Sequence, residues 1–491
     1  MPAFGPRRQP SRRGSMADVP KDLLERITEL EHLFTVDASK LKEVMNHFVK
    51  ELEKGLSKEG GSIPMNPTWV MDYPDGHEEG TFLALDMGGT NLRVCEIILP
   101  KEKGEFEIIQ SKYKMPEELK TGNSDELWEY IADCIQQFIE YHHEIEELED
   151  MQEHIPLGFT FSYPATQEYI DHGILQRWTK GFDISGVEGK DVAELFENAL
   201  KKRKLPIKLS ALINDTTGTL IASHYTDETM QIGCIFGTGC NAAYMENVGS
   251  VPKIAHYNLP PEMPIAINCE YGAFDNEHVV LPRTPYDVII DNDSPRPGQQ
   301  SFEKMIAGLY LGELFRLVLV DLHDNKDCQV FENQDISKLR KAYTLDASFL
   351  SMIEEDPFEN LSETGDLLQR VLGVKANKPE LELCRRLAEL IGTRAARLSA
   401  CGVAAICKKK NIETCHVGAD GSVFNKYPHF KARGALALRE MLDWPKGTKD
   451  KVSILPAEDG SGVGAALIAA LTIKRVKEGN LAGIRNLEGM K

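Results

Sequence analysis

The sequence lacks the spacings that mark a disulfide or zinc scaffold. Its ten cysteines form no C-x-x-C pair and no Cys/His cluster, which excludes a zinc-ribbon or thioredoxin-like reading. Several of them, Cys134, Cys234 and Cys401 included, sit in apolar runs where a free thiol behaves as a small hydrophobe. No secretory signal pattern is present, so a reducing, cytoplasmic compartment is expected. The longest uncharged apolar run, near residues 460–473, is too short and too rich in small residues to cross a bilayer. Positive charge is in deficit as well. The chain carries 56 Lys and Arg against 76 Asp and Glu, a net charge of −20, which argues against a body that binds nucleic acid or acidic membrane. There is also no G-x-x-x-x-G-K-[ST], so the Walker phosphate loop is absent.

The 491 residues, 42% of them hydrophobic and 27% charged, have ordinary soluble composition and length enough for two large lobes. Residues 1–20 stand apart. Arg7, Arg8, Arg12 and Arg13 meet no acid before Asp18, and four prolines discourage helix. This reads as a disordered basic arm, and Ser15 after Arg12–Arg13–Gly14 reads either as a protein-kinase site or as part of an inert tail. The arm also allows a partial nuclear pool. An amphipathic helical region follows over Leu23–Gly55, and then a Pro/Gly-rich connector to Asp75. Strands and helices alternate from Gly80, which is α/β architecture. Ser301–Val320 reads as one helix, and Glu380–Cys407 as a long one.

Leu83–Ala84–Leu85–Asp86–Met87–Gly88–Gly89–Thr90–Asn91–Leu92–Arg93 reads either as a phosphate hairpin or as an ordinary glycine hairpin between core strands. An apolar strand runs into two glycines and out into a second strand. Glycines admit an anion close to backbone N–H groups. Thr90 and Asn91 add donors, Arg93 adds fixed positive charge, and Asp86 is placed to hold a hydrated Mg²⁺. Ile232–Met245 repeats the device around Gly237–Thr238–Gly239–Cys240, which indicates a duplicated lobe. A phosphate chain clamped between two such lobes is the layout of the actin-like sugar kinase and chaperone ATPase superfamily.

Other constellations surround these hairpins. Asp215 follows a buried strand, Ala211–Ile213, at the sheet edge where α/β proteins bind ligands. It reads either as a helix N-cap or as a base taking the proton of an attacking hydroxyl. Ser162, Thr179 and Lys180, beside Trp178 and Phe182, suit a polyol, or else form a surface loop anchored by Trp178. Glu270 and Glu303 each stand among apolar residues and could accept bonds from sugar hydroxyls, or be plain solvated acids. Gly418–Ala419–Asp420–Gly421–Ser422 and Asp459–Gly460–Ser461–Gly462 are glycine turns into helices that could carry an adenosine or simply cap.

Taken in order, the segments LALDMGGTNLRV, LGFTFSYPATQ, GILQRWTKGFDI, LINDTTGTLIASHY, IFGTGCNAAYME, INCEYGAFD, FEKMIAGLYLGEL, VGADGSVF and EDGSGVGAAL resemble the hexokinase family over about residues 20–475, in its single-unit fungal form. The resemblance implies a two-lobed actin-like ATPase (sugar kinase) fold, with duplicated RNase H-like lobes around a cleft. Its implied parts are an arm (1–20), a large-lobe helical segment and connector (21–77), a small lobe (78–212), a large lobe (213–457), a helix returning to the small lobe (458–475) and a tail (476–491). It implies phosphorylation of the 6-hydroxyl of glucose, fructose or mannose by ATP with Mg²⁺. Asp215 is then the base, with Lys180 and Arg93 as further catalytic groups. Ser162, Thr179, Lys180, Asn214, Asn241, Glu270 and Glu303 hold the sugar. Asp86, Gly88, Gly89, Thr90, Asn91, Arg93, Lys112, Thr238, Gly418, Asp420, Ser422 and Ser461 face the nucleotide. The expected partners are the hexose and Mg-ATP; a homodimer and a partner at the arm stay open. The competing reading is a hexokinase-like sugar sensor acting through partners.

Overall fold

The computed structural model describes residues 19–58, 60–88, 91–100, 102–143, 154–178, 182–325 and 329–487. Ser15, Gly89, Thr90, Thr179 and Lys180 lie outside them, as does the basic arm as far as residue 18.

Two sheets carry the fold, and they share one topology. The first contains β1 (Gly80–Met87), β2 (Asn91–Leu99), β3 (Glu107–Lys114), β4 (Ile155–Phe161) and β5 (Ile207–Ile213), in the order β3-β2-β1-β4-β5. The first three strands form an antiparallel meander, and β4 and β5 extend it in parallel. The second contains β6 (Met230–Phe236), β7 (Cys240–Asn247), β8 (Pro264–Asn268), β9 (Cys415–Asp420) and β10 (Val452–Pro456). Its order is β8-β7-β6-β9-β10, with the same antiparallel and parallel senses. The short segment Asn66–Pro67 pairs with the outer edge of β8. The duplication expected from the two glycine hairpins is therefore a duplication of whole sheets.

Strand periodicity explains how each sheet is covered. Along β1, Leu83, Leu85 and Met87 enter one apolar core with helices Ser124–His142 and Val192–Lys202. Phe82 and Ala84 point the other way into a second core. That second face is covered by the helix Ala465–Lys477, which packs across β1, β4 and β5. The helix Asp215–Thr226, leaving β5, packs on β6 and β7 of the second sheet. The two helices meet at glycines: a Cβ on Gly464 would overlap the backbone of Gly218. Two glycines, neither with a side chain, let two backbones cross where the helices meet.

The second lobe is built around the helix Lys378–Lys410. This helix is long and apolar enough to cross a membrane, but 89% of its apolar window is buried inside the protein. It packs against the helices Ala38–Ser57 and Phe430–Met441, and its fully buried Arg394 forms a two-pronged ion pair with Asp287 at 2.6 and 2.8 Å. The cysteines among the described residues are free and buried, as their apolar settings indicate.

One expected element differs. Ser301–Val320 is two helices, Ser301–Ile306 and Gly308–Asp324, broken at the extended Ala307. The break has a tertiary cause. The Gly308 N–H donates to Gly237 O at 2.8 Å, so the chain leaves its helix to fasten the second glycine hairpin.

Candidate active site

Asp215 is the first residue of the helix Asp215–Thr226, immediately after β5. Its neighbour does the capping: the Asn214 side chain accepts the Thr216 N–H at 2.9 Å. The cap reading of Asp215 is therefore replaced. Its carboxylate accepts the Thr216 hydroxyl at 3.2 Å, while its backbone carbonyl accepts the Thr219 hydroxyl, so the half-buried side chain is held at the first turn of the helix.

A polar network is contributed by β7, β8 and the loop after them. The Asn241 amide donates to Asn268 Oδ1 at 2.6 Å and to Glu270 Oε1 at 3.2 Å. Asn268 donates to the same Glu270 oxygen at 2.8 Å, and the Glu270 N–H returns to Asn241 Oδ1 at 2.9 Å. Glu303 accepts the Cys240 N–H at 3.0 Å and the Gln300 amide at 3.5 Å. Both acids are thus held by the fold and are not solvated surface groups. Burial pushes the Glu303 carboxyl above the usual carboxylate range, against the help of those two donors. Glu270 and Gln300 both adopt left-handed backbone, at φ 54° and 56°, a strained state that side chains other than glycine hold only where the surroundings demand it. A cavity of about 330 Å³ is lined from one side by Asn268, Glu270 and Gln300 and from the other by Phe161, Tyr163 and Gln176. Ser162 lies between two of those lining residues.

Trp178 does not present its ring to this cavity. It is buried against Tyr163 and Phe182, and its indole N–H donates to Ile184 O at 3.0 Å. It anchors the loop by packing, as the plainer reading had it.

In the first hairpin the Gly88 N–H closes the turn onto Asn91 O at 3.0 Å. Arg93 is committed to a partner 366 positions away. Its guanidinium grips Asp459 with two bonds, at 2.6 and 2.7 Å, and stands 3.5 Å from Asp86. Burial opposes the charge of Asp459, but the hydrogen bonds and charge of Arg93, the Gly462 N–H and the charge of Lys112 together hold that carboxyl below its usual range. Lys112 pairs with Arg93 across the β2–β3 ladder and is exposed. Ser461 sits in the turn that Asp459 caps, where its carbonyl accepts the Thr160 hydroxyl at 2.9 Å.

On the far side, Thr238 and Ser422 line a second cavity of about 340 Å³ together with Gly308, Leu309, Ser348 and Lys426. Gly421, at φ 111°, lets the β9 turn lie against the backbone of Phe236 and Gly237. Gly418 is buried within β9 against Ser223, so its lack of a side chain serves strand–helix packing. Asp420 is exposed and accepts the Asn425 amide at 2.7 Å.

The structure thus gathers Asn214 and Glu270 at one cavity, with Asn241 bonded to Glu270 and Glu303 to Gln300 on its wall, Asp86, Gly88, Asn91 and Arg93 at one hairpin, and Thr238 with Ser422 at a second cavity; Asp215 stands next in the chain to Asn214. Sequence reasoning missed Asn268, Gln300, Asp459 and the Gly308–Leu309 wall. Asn268 and Asp459 stood inside quoted segments, and strand-end placement was the available signal for both.

Comparison with known proteins agrees with this architecture. Two hexokinase family models match, over residues 26–225 and 231–471. A hexokinase of Emericella nidulans is 71% identical over 490 residues, covering 100% of this chain and 99% of its own length. Hexokinase-1 of Saccharomyces cerevisiae is 54% identical over 488 residues, covering 98% of this chain and 99% of its own. The solved hexokinase of Schistosoma mansoni complexed with glucose matches with a TM-score of 0.80 at 36% identity, over 92% of this chain and 99% of that one. With both sheets, both hairpins and the full length of its relatives in place, the chain belongs to the hexokinase family.

Proposed function

We propose that this hexokinase moves the γ-phosphoryl group of ATP to the 6-hydroxyl of D-glucose and of related hexoses, and that Asp215 is the base. The observation that carries the reading is Asp215 itself: a half-buried carboxylate at the end of β5, not used as the helix cap, next in the chain to Asn214, which lines the cavity with Asn268 and Glu270. Asn214, Asn241, Glu270 and Glu303, with Ser162, Thr179 and Lys180 from the other lobe, hold the remaining hydroxyls. Asp215 takes the proton of the 6-hydroxyl as its oxygen bonds to the γ-phosphorus. The bond from that phosphorus to the bridging oxygen breaks, and ADP leaves. A loose phosphoryl-transfer transition state gains most from alignment and charge neutralisation, so rigid positioning of the acceptor matters more than strong basicity.

The adenosine fits the cavity between Thr238 and Ser422, with Asn91 and Arg93 on the phosphate side and Lys112 at the strand edge. Asp86 suits Mg²⁺, which takes one or two carboxylates and fills its shell with phosphate oxygens and water. When bound, that ion supplies charge neutralisation on the phosphates.

The test is product identification by ³¹P NMR after incubating the protein with Mg-ATP and glucose, fructose or mannose. A phosphomonoester on C6 is expected. Phosphate on another carbon, or ATP hydrolysis alone, would overturn the proposal, and glucose binding without turnover would favour a sensor.

A further inference from the structure

We propose that Asp459 is a positioning residue for phosphoryl transfer, acting through Arg93 on the ground prepared by Asp86. The inference rests on the kinase reading above and extends it to a residue outside the hydroxyl- and phosphate-facing sets.

Three observations carry it. The first is the geometry of the grip. Asp459 Oδ1 and Oδ2 each accept one Arg93 nitrogen, at 2.7 and 2.6 Å, and a two-pronged carboxylate–guanidinium pair fixes both distance and plane. The second is what the guanidinium stands beside. The same Nη2 that bonds Asp459 Oδ1 lies 3.5 Å from Asp86 Oδ2, the carboxylate placed for the metal. The third is the rigidity of the anchor. Asp459 opens a turn capped by its own bond to the Gly462 N–H at 2.9 Å, tied to β4 by Thr160 on Ser461 O at 2.9 Å, and wedged by Gly460 against Thr219 on the helix that begins at Asp215. One turn therefore touches the phosphate hairpin, the small-lobe sheet and the helix of the base.

The consequence follows from charge and geometry. Two carboxylates about one guanidinium leave a net negative charge among these three groups, which favours a cation at Asp86. Without the pull of Asp459, Arg93 gains a free fork and a carboxylate within reach, and closes on Asp86 where a cation has to sit. Groups that orient a metal's ligands in this way change metal affinity or activity about 10- to 100-fold when removed.

The experiment uses Asp459→Asn, which keeps an acceptor oxygen for the Gly462 N–H and removes the charge that grips Arg93. Three quantities are measured on the full chain: the Mg²⁺ concentration for half-maximal turnover, the gain in ADP affinity produced by Mg²⁺ in calorimetry, and glucose affinity without nucleotide. Arg93→Met and the double variant complete a cycle. The expected result is a Mg²⁺ requirement raised about 10-fold, a smaller Mg²⁺-dependent gain in ADP affinity, a kcat lowered about 10- to 100-fold, glucose affinity within about twofold, and a double variant no worse than Arg93→Met. Three results overturn the proposal: an unchanged Mg²⁺ requirement and kcat, a parallel loss of glucose affinity and melting temperature, or a double variant far below Arg93→Met. A wild-type protein that forms no hexose phosphate would instead remove the kinase reading beneath it.

Discussion

Glu303→Gln is expected to stabilise the ligand-free protein and to weaken its hold on sugar. The carboxylate is surrounded by protein, with the Cys240 N–H at 3.0 Å and the Gln300 amide at the longer 3.5 Å as its donors. Burial raises its pKa above the usual range despite both. Between the ordinary glutamate range and that raised value, the folded protein keeps a proton that the unfolded chain has released. Stability is therefore lost as pH rises through this window. A glutamine has no charge to desolvate, so the variant should lose that slope and melt higher than wild type at neutral pH. The cost falls on binding. A hydrogen bond to a charged acceptor contributes about 1.5–3 kcal/mol, so removing the charge at one proposed sugar contact should weaken glucose binding about 10- to 100-fold. Wild-type glucose affinity should also fall as the pH drops through the same window, because a protonated carboxyl is a poorer acceptor. Melting temperature against pH and glucose calorimetry without nucleotide read both effects. An unchanged pH slope together with unchanged glucose affinity would refute the reasoning.

Other outcomes follow from the same geometry. Gly464→Ala drives a methyl group into the backbone of Gly218 and should cost about 1–3 kcal/mol in chemical denaturation; wild-type stability would mean the crossing is looser than described. Gly421→Ala forces a side chain onto a φ of 111° and into the Phe236 backbone, so the ATP KM should rise well before the glucose KM does; equal changes would separate this turn from the nucleotide. Glucose, on the proposal that both lobes contact it, should shrink the radius of gyration in small-angle scattering and raise the melting temperature by mass action; an unchanged radius at saturation would count against closure.

What could be read from the sequence was local. The two hairpins are written in short strands broken by glycines, and their repetition foretold a duplicated sheet whose strand order is now identical in both lobes. Asp215 was placed by the end of an apolar run, but the helix starts at Asp215 itself, so the extended backbone of Asn214 and its bond from the Thr216 N–H make Asn214 the cap. The helix break at Ala307 was invisible because its cause is Gly237, 70 residues upstream, reaching across the fold for a backbone N–H. The Arg93–Asp459 pair joins positions 366 apart, and no periodicity connects them. Trp178 could be read as a sugar platform or as an anchor, and only its burial against Tyr163 and Phe182 decided between them.

The central claim is that Asp215 takes the proton of the attacking hydroxyl in a cleft that holds the sugar by other groups. It is tested most directly by single-turnover transfer from labelled ATP to saturating glucose, in wild type and in Asp215→Ala, with glucose affinity measured on both by calorimetry. The account predicts a transfer rate lower by about 10²–10⁴ with glucose affinity within a few-fold of wild type. A variant that binds glucose and transfers phosphate at close to the wild-type rate would contradict it.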